Sequence, residues 1–358
     1  MQVKFWSPEK TYKKQKKHIN KAIRDVLESG SLVLGSGGFV EKFEEDFAYF
    51  MGMTYGIMCG GGTHALYLAY RAHGIGPGDE VITTSHTFVA TIDQIVALGA
   101  TPILVDIGED GLIDPEEIKK AITPKTKAMV PVHLEGKVCN IQAIDEIARQ
   151  HNLIVIEDAA QAIGADLSSN NTKCFSMYPA KILGSIGNAG MVLTNDAQLA
   201  EKLRMLRCNS NIGKNRDLSV GYGMQLEPDN IHASVLSYKL GVLGSALHRR
   251  EKIAEMYNQE LKYLPIRLPL EQCGRVYQDY VIRVGQQKDE FVQHLARSGV
   301  GFIGHNLIPS HHYPNLQLNF NLPQTDQYIS EQIRIPCNPD LTDREVKYVI
   351  KTIRNFYK

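Results

Sequence analysis

Between residues 56 and 195 the sequence alternates short apolar runs with amphipathic segments, and this alternation restricts the fold more than any other feature. The apolar runs predict strands at 56–59, 80–84, 102–106, 128–132, 153–158, 172–176 and 191–194. The amphipathic segments predict helices at 63–73, 87–99, 114–122 and 140–151. Strands joined by crossover helices form a mostly parallel sheet covered on both faces, so we expect an α/β fold with seven strands.

The rest of the chain has a different pattern, in which helices predominate. Helical periodicity precedes the alternating region at 10–29 and 40–50, and long helical segments follow it at 196–208 and 229–262. The C-terminal part mixes a strand at 280–284 with helices at 288–298 and 342–356. Because 358 residues exceed one ordinary core, we predict a large domain over 1–240 and a smaller C-terminal α+β domain over 241–358.

The composition excludes several classes of protein. Lys plus Arg and Asp plus Glu both count 39, so no net charge favours nucleic acid or an anionic membrane surface. The basic N-terminus has no apolar core and no run of 18 apolar residues occurs, so neither secretion nor membrane spanning is expected. The six cysteines include no C-x-x-C pair, which is typical of reduced thiols in a cytoplasmic protein. His311 and His312 are the only local histidine cluster and lack metal-ligand spacing with any cysteine, so no metal site is predicted.

Two polar residues at strand ends suggest a ligand site. Asp158 ends the apolar run that begins at Leu153, at the sheet edge where open α/β sheets bind ligands. Lys181 follows the strand at 172–176, behind Pro179 and before a glycine-rich stretch. A lysine and an aspartate on neighbouring loops suggest pyridoxal phosphate (PLP), which uses a Schiff-base lysine and a carboxylate facing its ring nitrogen. The alternatives are a turn-capping aspartate and a solvated loop lysine.

Three further features fit the same cleft. The turn from Gly60 to His64 joins a strand to a helix, and its small residues let helix-start amides approach a phosphate, although it is neither a Walker nor a Rossmann motif. Phe88 follows the second strand, where it could stack on a planar ring or belong to the core. Gln161 could face the phenolic oxygen of the cofactor or cap the turn, whereas His133 is expected to be a satisfied core or rim histidine.

Taken together, these segments resemble the DegT family of PLP-dependent sugar aminotransferases, which belong to the fold-type I aspartate aminotransferase superfamily. The resemblance runs over nearly the whole chain and includes many segments in the right order. The matching segments are 35–47, Gly62-Thr63, 74–80, 87–91, 132–134, 157–162 and 175–181. It implies the fold-type I transferase architecture, with a large PLP-binding domain and a smaller C-terminal domain.

The resemblance also implies roles for individual residues. Lys181 would bind PLP covalently and later move the proton, and Asp158 would keep the pyridine nitrogen protonated. Phe88 would stack on the ring, and Gln161 would lie near its hydroxyl. The phosphate would be held by Gly62, Thr63, His64 and Ser176.

One loop departs from the family pattern. The family has an asparagine that reaches the cofactor phosphate of the partner subunit, and an arginine two residues later, where this chain has Gln225 and Glu227. Gln225 can still donate a hydrogen bond, so it is retained as a candidate cofactor ligand. Glu227 reverses a charge, which puts phosphate or substrate contacts from this loop in doubt.

The function that the resemblance implies is transfer of an amino group from L-glutamate to a nucleotide-linked keto sugar, for amino-sugar or surface-polysaccharide synthesis. It also implies a homodimer with active sites at the subunit interface, whereas the composition predicts a cytoplasmic protein with no nucleic-acid or membrane partner. Sugar dehydratases of the family replace the lysine with histidine, so Lys181 favours transamination. A PLP-dependent sugar dehydratase or isomerase and a non-catalytic regulator or assembly partner remain alternatives. The sugar, its nucleotide and the aminated carbon, 3 or 4, are not predicted.

Overall fold

The computed structural model describes residues 1–209, 211–212, 218–219, 222–304, 307–316 and 318–358. Its helices are α1 Pro8–Ser29, α2 Phe39–Phe50, α3 Gly62–Ala72, α4 Ala90–Ala97, α5 Pro115–Ala121, α6 Ile141–His151, α7 Ala197–Arg207, α8 Asn230–Gly241, α9 Leu243–Leu261, α10 Lys288–Arg297, α11 Pro323–Glu331 and α12 Asp343–Phe356. Its strands are β1 Tyr55–Cys59, β2 Glu80–Thr84, β3 Thr101–Val105, β4 Thr126–Val130, β5 Ile154–Asp158, β6 Thr172–Ser176, β7 Gly190–Thr194, β8 Asn211–Ile212, β9 Leu218–Ser219, β10 Tyr280–Arg283 and β11 Gln332–Ile335. Short 3-10 turns occupy Leu134–Gly136, Gly285–Gln287, Ser310–His312 and Pro314–Leu316.

The main sheet has seven strands in the order β1-β7-β6-β5-β4-β2-β3. Neighbouring strands from β6 to β3 are parallel, whereas β7 runs antiparallel to both β1 and β6. This arrangement confirms the predicted mostly parallel α/β sheet. It also brings the carboxyl ends of β2, β4, β5 and β6 to one edge, as parallel strands require.

Alternate residues of the central strands face opposite helical layers. On one face, Met58 and Phe175 pack with Phe43 and Phe47 of α2 and with α8. On the other face, Ile57, Cys174 and Val192 pack with the apolar sides of α3 and α7. All these side chains are nearly or fully buried, so the short apolar runs of the sequence are strands covered on both sides.

The N-terminal helices pack on α8, through a small cluster in which Ile19 and Ala22 contact Val235. Gly30 ends α1 in the left-handed conformation, with φ of 68°. The turn that follows is fixed by the buried Asn230, whose side-chain amide donates to the carbonyl oxygens of Ser31, Val33 and Ser36 at 2.7–2.8 Å. One buried side chain therefore holds the connection between α1 and α2.

The C-terminal region has its own core, formed where the β10–β11 sheet packs against α9, α10 and α12. Val3 of the N-terminus joins this core, whereas Leu243 at the start of α9 packs into the core of the main sheet. Each predicted domain thus contributes a residue to the core of the other. The division between 1–240 and 241–358 stays a prediction.

Most predicted elements are present, and two of the predicted helices differ clearly from the structure. The predicted helix at 229–262 consists of two helices, because α8 ends at Gly241 and α9 starts at Leu243. The predicted helix at 87–99 begins only at Ala90. Helix α11 and strands β8, β9 and β11 were not predicted. In the described part of the chain, no helix combines the length and apolar character needed to cross a bilayer.

Candidate active site

A cavity of about 600 Å³ lies at the carboxyl edge of the sheet. Its wall includes segments after β1, β2, β4, β5 and β6, which are distant in sequence but adjacent in the sheet. The structure brings together nearly all the predicted site residues there: Gly62, Thr63, His64, Phe88, Asp158, Gln161, Ser176 and Lys181. A cavity of this size matches a site for a small-molecule cofactor.

Asp158, the last residue of β5, is a buried carboxylate with two donors. Its Oδ2 accepts a hydrogen bond from the Thr91 hydroxyl at 2.7 Å, and its Oδ1 accepts one from the backbone N–H of Ala160 at 3.1 Å. Burial nevertheless raises the pKa of Asp158, since these donors and the charge of Lys181 only partly offset the lost hydration. The carboxylate therefore favours a cationic partner in the cavity, such as a protonated ring nitrogen.

Lys181 lies in the turn after β6, where its backbone N–H donates to the carbonyl oxygen of Tyr178 at 2.8 Å. Burial lowers the pKa of Lys181, and the negative charges of Asp279 and Asp158 oppose that shift. Among the described residues, none forms a hydrogen bond or ion pair with its Nζ. A half-buried amine with a lowered pKa and no partner is suited to covalent bonding with a carbonyl compound.

The start of α3 presents unpaired backbone amides to the cavity. The first amides of a helix have no intrahelical acceptor, so the N–H groups of Gly62, Thr63 and His64 are available as donors. Ser176, at the end of β6, packs so closely that a Cβ on Gly62 would lie 2.7 Å from its Cβ. His64 adds a buried Nδ1 with no hydrogen-bond partner in the described structure. These groups fit a phosphate.

Gln161 and Phe88 complete the cavity wall. The Oε1 of Gln161 accepts the backbone N–H of Glu135 at 2.7 Å, which leaves its amide hydrogens as donors. Glu135 has a φ of 63°, a conformation that few non-glycine residues adopt. The Phe88 side chain lines the cavity while 70% exposed, so its ring is accessible to a planar ligand.

His133 is a structural residue, as the sequence predicted. It is fully buried, and its Nδ1 accepts the backbone N–H of Cys139 at 3.1 Å. Its Nε2 therefore carries the hydrogen and donates to Glu157 at 2.9 Å. Both ring nitrogens are occupied, which leaves His133 without a free group for proton transfer.

Gln225 is the one predicted site residue outside this cavity. It is exposed and forms an isolated β-bridge with Cys208. The carbonyl oxygen of the next residue, Leu226, accepts the backbone N–H of Gly60 at 3.0 Å, so the loop adjoins the turn before α3 of its own chain. Glu227 accepts a hydrogen bond from the Cys208 thiol at 3.1 Å. A cofactor contact from Gln225 stays a prediction.

Sequence reasoning missed Thr91, which holds Asp158, and Asp279, whose charge acts on Lys181. In the sequence, Thr91 belongs to the segment 87–91 that matches the family. Its position shortly after β2 was the feature that could have indicated a site residue. Asp279 is held by Arg334 at 3.0 Å, and both residues belong to the C-terminal region, which the sequence did not connect with the site.

Comparison with known proteins identifies the family. Residues 13–354 match the DegT/DnrJ/EryC1/StrS aminotransferase family. The chain belongs to this family. A pleiotropic regulatory protein of Geobacillus stearothermophilus is 36% identical, over 100% of this chain and 99% of the relative. A dTDP-3-amino-3,6-dideoxy-alpha-D-galactopyranose transaminase of Aneurinibacillus thermoaerophilus is 38% identical, over 95% of each chain.

Solved structures agree with this assignment. DesV of S. venezuelae, determined in complex with a ketimine intermediate, has a TM-score of 0.96 and 34% identity, covering 100% of this chain and 99% of its own. NtdA of Bacillus subtilis, with bound cofactor PMP, has a TM-score of 0.94 and 30% identity, covering 99% and 85%. The protein is a PLP-dependent sugar aminotransferase, and the predicted fold-type I architecture is confirmed.

Proposed function

We propose that this enzyme transfers the amino group of L-glutamate to the ketone of a nucleotide-linked sugar, and that it acts in the cytoplasm as a homodimer. The observation that carries the proposal is the pairing of an unpartnered, half-buried Lys181 amine with the buried Asp158 carboxylate in one cavity. The transaminase from Aneurinibacillus, whose name specifies a dTDP-linked amino sugar, supports a nucleotide-linked acceptor.

The residues of the cavity fit PLP. Lys181 would hold the cofactor covalently, Asp158 would hold the proton of its ring nitrogen, and the α3 amides with Ser176 would bind its phosphate. Bound PLP supplies a conjugated ring that stabilises the negative charge left when a proton leaves the α-carbon of the amino donor. Lys181, once its amine is free, would move that proton, and its lowered pKa increases the fraction of the amine that can accept one.

The first test follows the reaction with the donor alone. The absorbance band of the holoenzyme should change to that of the aminated cofactor when L-glutamate is added, and D-glutamate should leave the band unchanged. Lys181→Ala should abolish the change, whereas Lys16→Ala, at an exposed position of α1, should retain it. A Lys181→Ala variant that still converts the cofactor at the native rate would refute the assigned role.

The second test separates transamination from the dehydratase alternative. The aminated enzyme is mixed with nucleotide-linked keto sugars, and the products are analysed by mass spectrometry. Replacing a ketone with an amine raises the mass slightly, whereas loss of water lowers it. A mass decrease with no amine in the product would overturn the proposed acceptor reaction. No product and no spectral change would favour the regulator alternative, which the name of the Geobacillus relative keeps relevant.

The dimer proposal rests on Gln225, which is exposed and outside the cavity of its own chain. If Gln225 serves the site of the partner subunit, Gln225→Ala and Lys181→Ala impair different components of a shared site. Mixing the two inactive variants under conditions that exchange subunits should then restore part of the activity, because each mixed dimer has one intact site. A monomer by light scattering, or no restoration despite exchange, would contradict this arrangement.

A further inference from the structure

Two histidines and an aspartate converge beside the candidate active site, outside its cavity. His311 and His312 occupy the 3-10 turn Ser310–His312, and their ring centroids are 4.0 Å apart. Asp326 comes from the first turn of α11. Its Oδ1 lies 3.4 Å from Nε2 of His311 and 2.9 Å from Nε2 of His312. One potential ligand atom from each of the three residues lies within 4.8 Å of the others.

The His311 side chain is the most informative member. The residue is only 4% exposed, yet its Nε2 forms no hydrogen bond, although it lies 3.4 Å from Oδ1 of Asp326. Its Nδ1 lies 2.8 Å from the Ser85 hydroxyl oxygen. When Nδ1 donates its hydrogen to Ser85, the Nε2 lone pair is free to bind a cation, which is the usual outer contact of a metal-binding histidine.

Both halves of the cluster are fixed to the ends of adjacent strands. The His311 turn is held to the residues after β2, because the backbone N–H groups of Ser310 and His311 donate to Ser85 at 3.3 and 3.0 Å. The start of α11 is held by Asp106, which follows β3 and accepts the backbone N–H groups of Gln324 and Thr325 at 2.9 and 2.8 Å. The three ligand groups are therefore positioned by the sheet itself.

We propose that His311, His312 and Asp326 bind a divalent transition-metal cation of the Zn²⁺ type. Imidazole nitrogens and a carboxylate oxygen suit such ions, which take three protein ligands and complete their shell with water. Ligand atoms of tetrahedral Zn²⁺ are about 3.3 Å apart, and the two distances to Asp326 are close to that spacing. His312 and Asp326 are partly exposed, so water and the ion can reach the site.

The site would act on the neighbouring cavity through the backbone. Ser310 Oγ donates to the carbonyl oxygen of Thr87 at 3.4 Å, next to Phe88 in the cavity wall. A bound cation would join α11 to the His311 turn, and that turn is already bonded to Ser85 and Thr87. We assign the cation a positioning role for this segment and no part in the amino transfer.

The test is calorimetric titration of the tag-free, chelator-treated holoenzyme with Zn²⁺. One Zn²⁺ should bind per chain, and both His312→Ala and Asp326→Asn should weaken binding by at least about tenfold, since even outer-shell changes have effects of that size. His248→Ala removes an exposed histidine of α9 whose Nδ1 lies 3.6 Å from Glu251 of the same helix, and this variant should bind Zn²⁺ like the native enzyme. All variants should show the native melting temperature without metal.

Two results would overturn the proposal. The native enzyme could show no stoichiometric binding, or His312→Ala and Asp326→Asn could bind Zn²⁺ as tightly as the native enzyme. If either variant failed to fold, the other would still decide the question, because the two substitutions lie on separate elements.

Discussion

Replacing Thr91 with valine tests whether a single buried hydroxyl keeps Asp158 ionised. Valine has nearly the same shape, so the substitution removes the 2.7 Å hydrogen bond to Asp158 without opening a cavity. The N–H of Ala160 remains as the only other direct donor to the carboxylate within the described structure. A hydrogen bond to a charged group contributes about 1.5–3 kcal/mol. Thr91 is fully buried, so little water can replace the lost donor.

This free energy converts directly into a pKa. One unit corresponds to about 1.36 kcal/mol, so the loss should raise the pKa of Asp158 by roughly one to two further units. Burial already raises that pKa, and the Thr91 bond opposes the shift. Only the ionised carboxylate can pair with a protonated ring nitrogen. As the pH is lowered, the affinity of the apoenzyme for PLP should therefore begin to decrease at a higher pH in the variant than in the native protein.

The assay is a PLP titration by absorbance or dialysis, repeated between about pH 5 and pH 8. The acid limb of the profile, where the affinity for PLP decreases as the pH is lowered, should move toward neutral pH by about one to two pH units in Thr91→Val. Thr83→Val is a matched control, because Thr83 is equally buried but donates to the backbone carbonyl of Val130 at 2.8 Å. The control should lose stability and keep the native acid limb. Coincident profiles for Thr91→Val and native protein would refute the reasoning.

Two further predictions concern the backbone near Lys181 and the buried pair beside Gln161. In Gly184→Ala the new Cβ would lie 2.2 Å from the carbonyl oxygen of Pro179, so the variant should lose about 1–3 kcal/mol of unfolding free energy and bind PLP more weakly. In the control Gly241→Ala the new Cβ meets no atom within 4 Å, so this variant should keep both its stability and its PLP affinity. Denaturant titration and PLP binding measure the two effects. Glu135→Gln should cost about 3–5 kcal/mol at neutral pH, because it leaves the buried Lys137, 2.9 Å away, without its counter-charge. Burial raises the pKa of Glu135, but Lys137, His86 and Arg334 together lower it from 4.5 to about 2, so its contribution to stability is complete above about pH 4.5 and is lost as the pH falls toward 2. Chemical denaturation across that pH range should show the difference between native protein and Glu135→Gln shrinking on acidification, and a constant difference would contradict the assignment.

The central part of the fold could be predicted because its signals are local. Each strand of the sheet is a short apolar run whose bounds agree with the prediction within one or two residues. Asp158 and Lys181 could be chosen because they follow such runs, and parallel strands bring their carboxyl ends to one edge. The resemblance to a family then assigned roles that strand ends alone left open.

The missed features depend on contacts between distant segments. Thr91 and Asp158 are separated by 67 positions, and nothing near Thr91 in the sequence indicates that its hydroxyl faces a carboxylate. Helix α11 was missed because its sequence is polar, begins with a proline and has few apolar residues. Its start is held by Asp106, which is 218 positions from Gln324, and a contact of that range leaves no local signal in the sequence. Asp326 could therefore not be associated with the histidines as a third ligand.

The cofactor cavity and the proposed cation site share one segment of backbone, Ser85–Phe88. Phe88 faces the cavity, while Ser85 and Thr87 accept hydrogen bonds from the histidine-bearing turn. A cation that restrains this segment changes the free energy of cofactor binding only if the segment adjusts when PLP binds. Any such coupling must be reciprocal, so Zn²⁺ should alter the PLP affinity by the same factor by which PLP alters the Zn²⁺ affinity. Equal Zn²⁺ affinities for the apoenzyme and the holoenzyme would mean that Ser85–Phe88 is already fixed by the sheet, and that the cation stabilises the fold without influencing the active site.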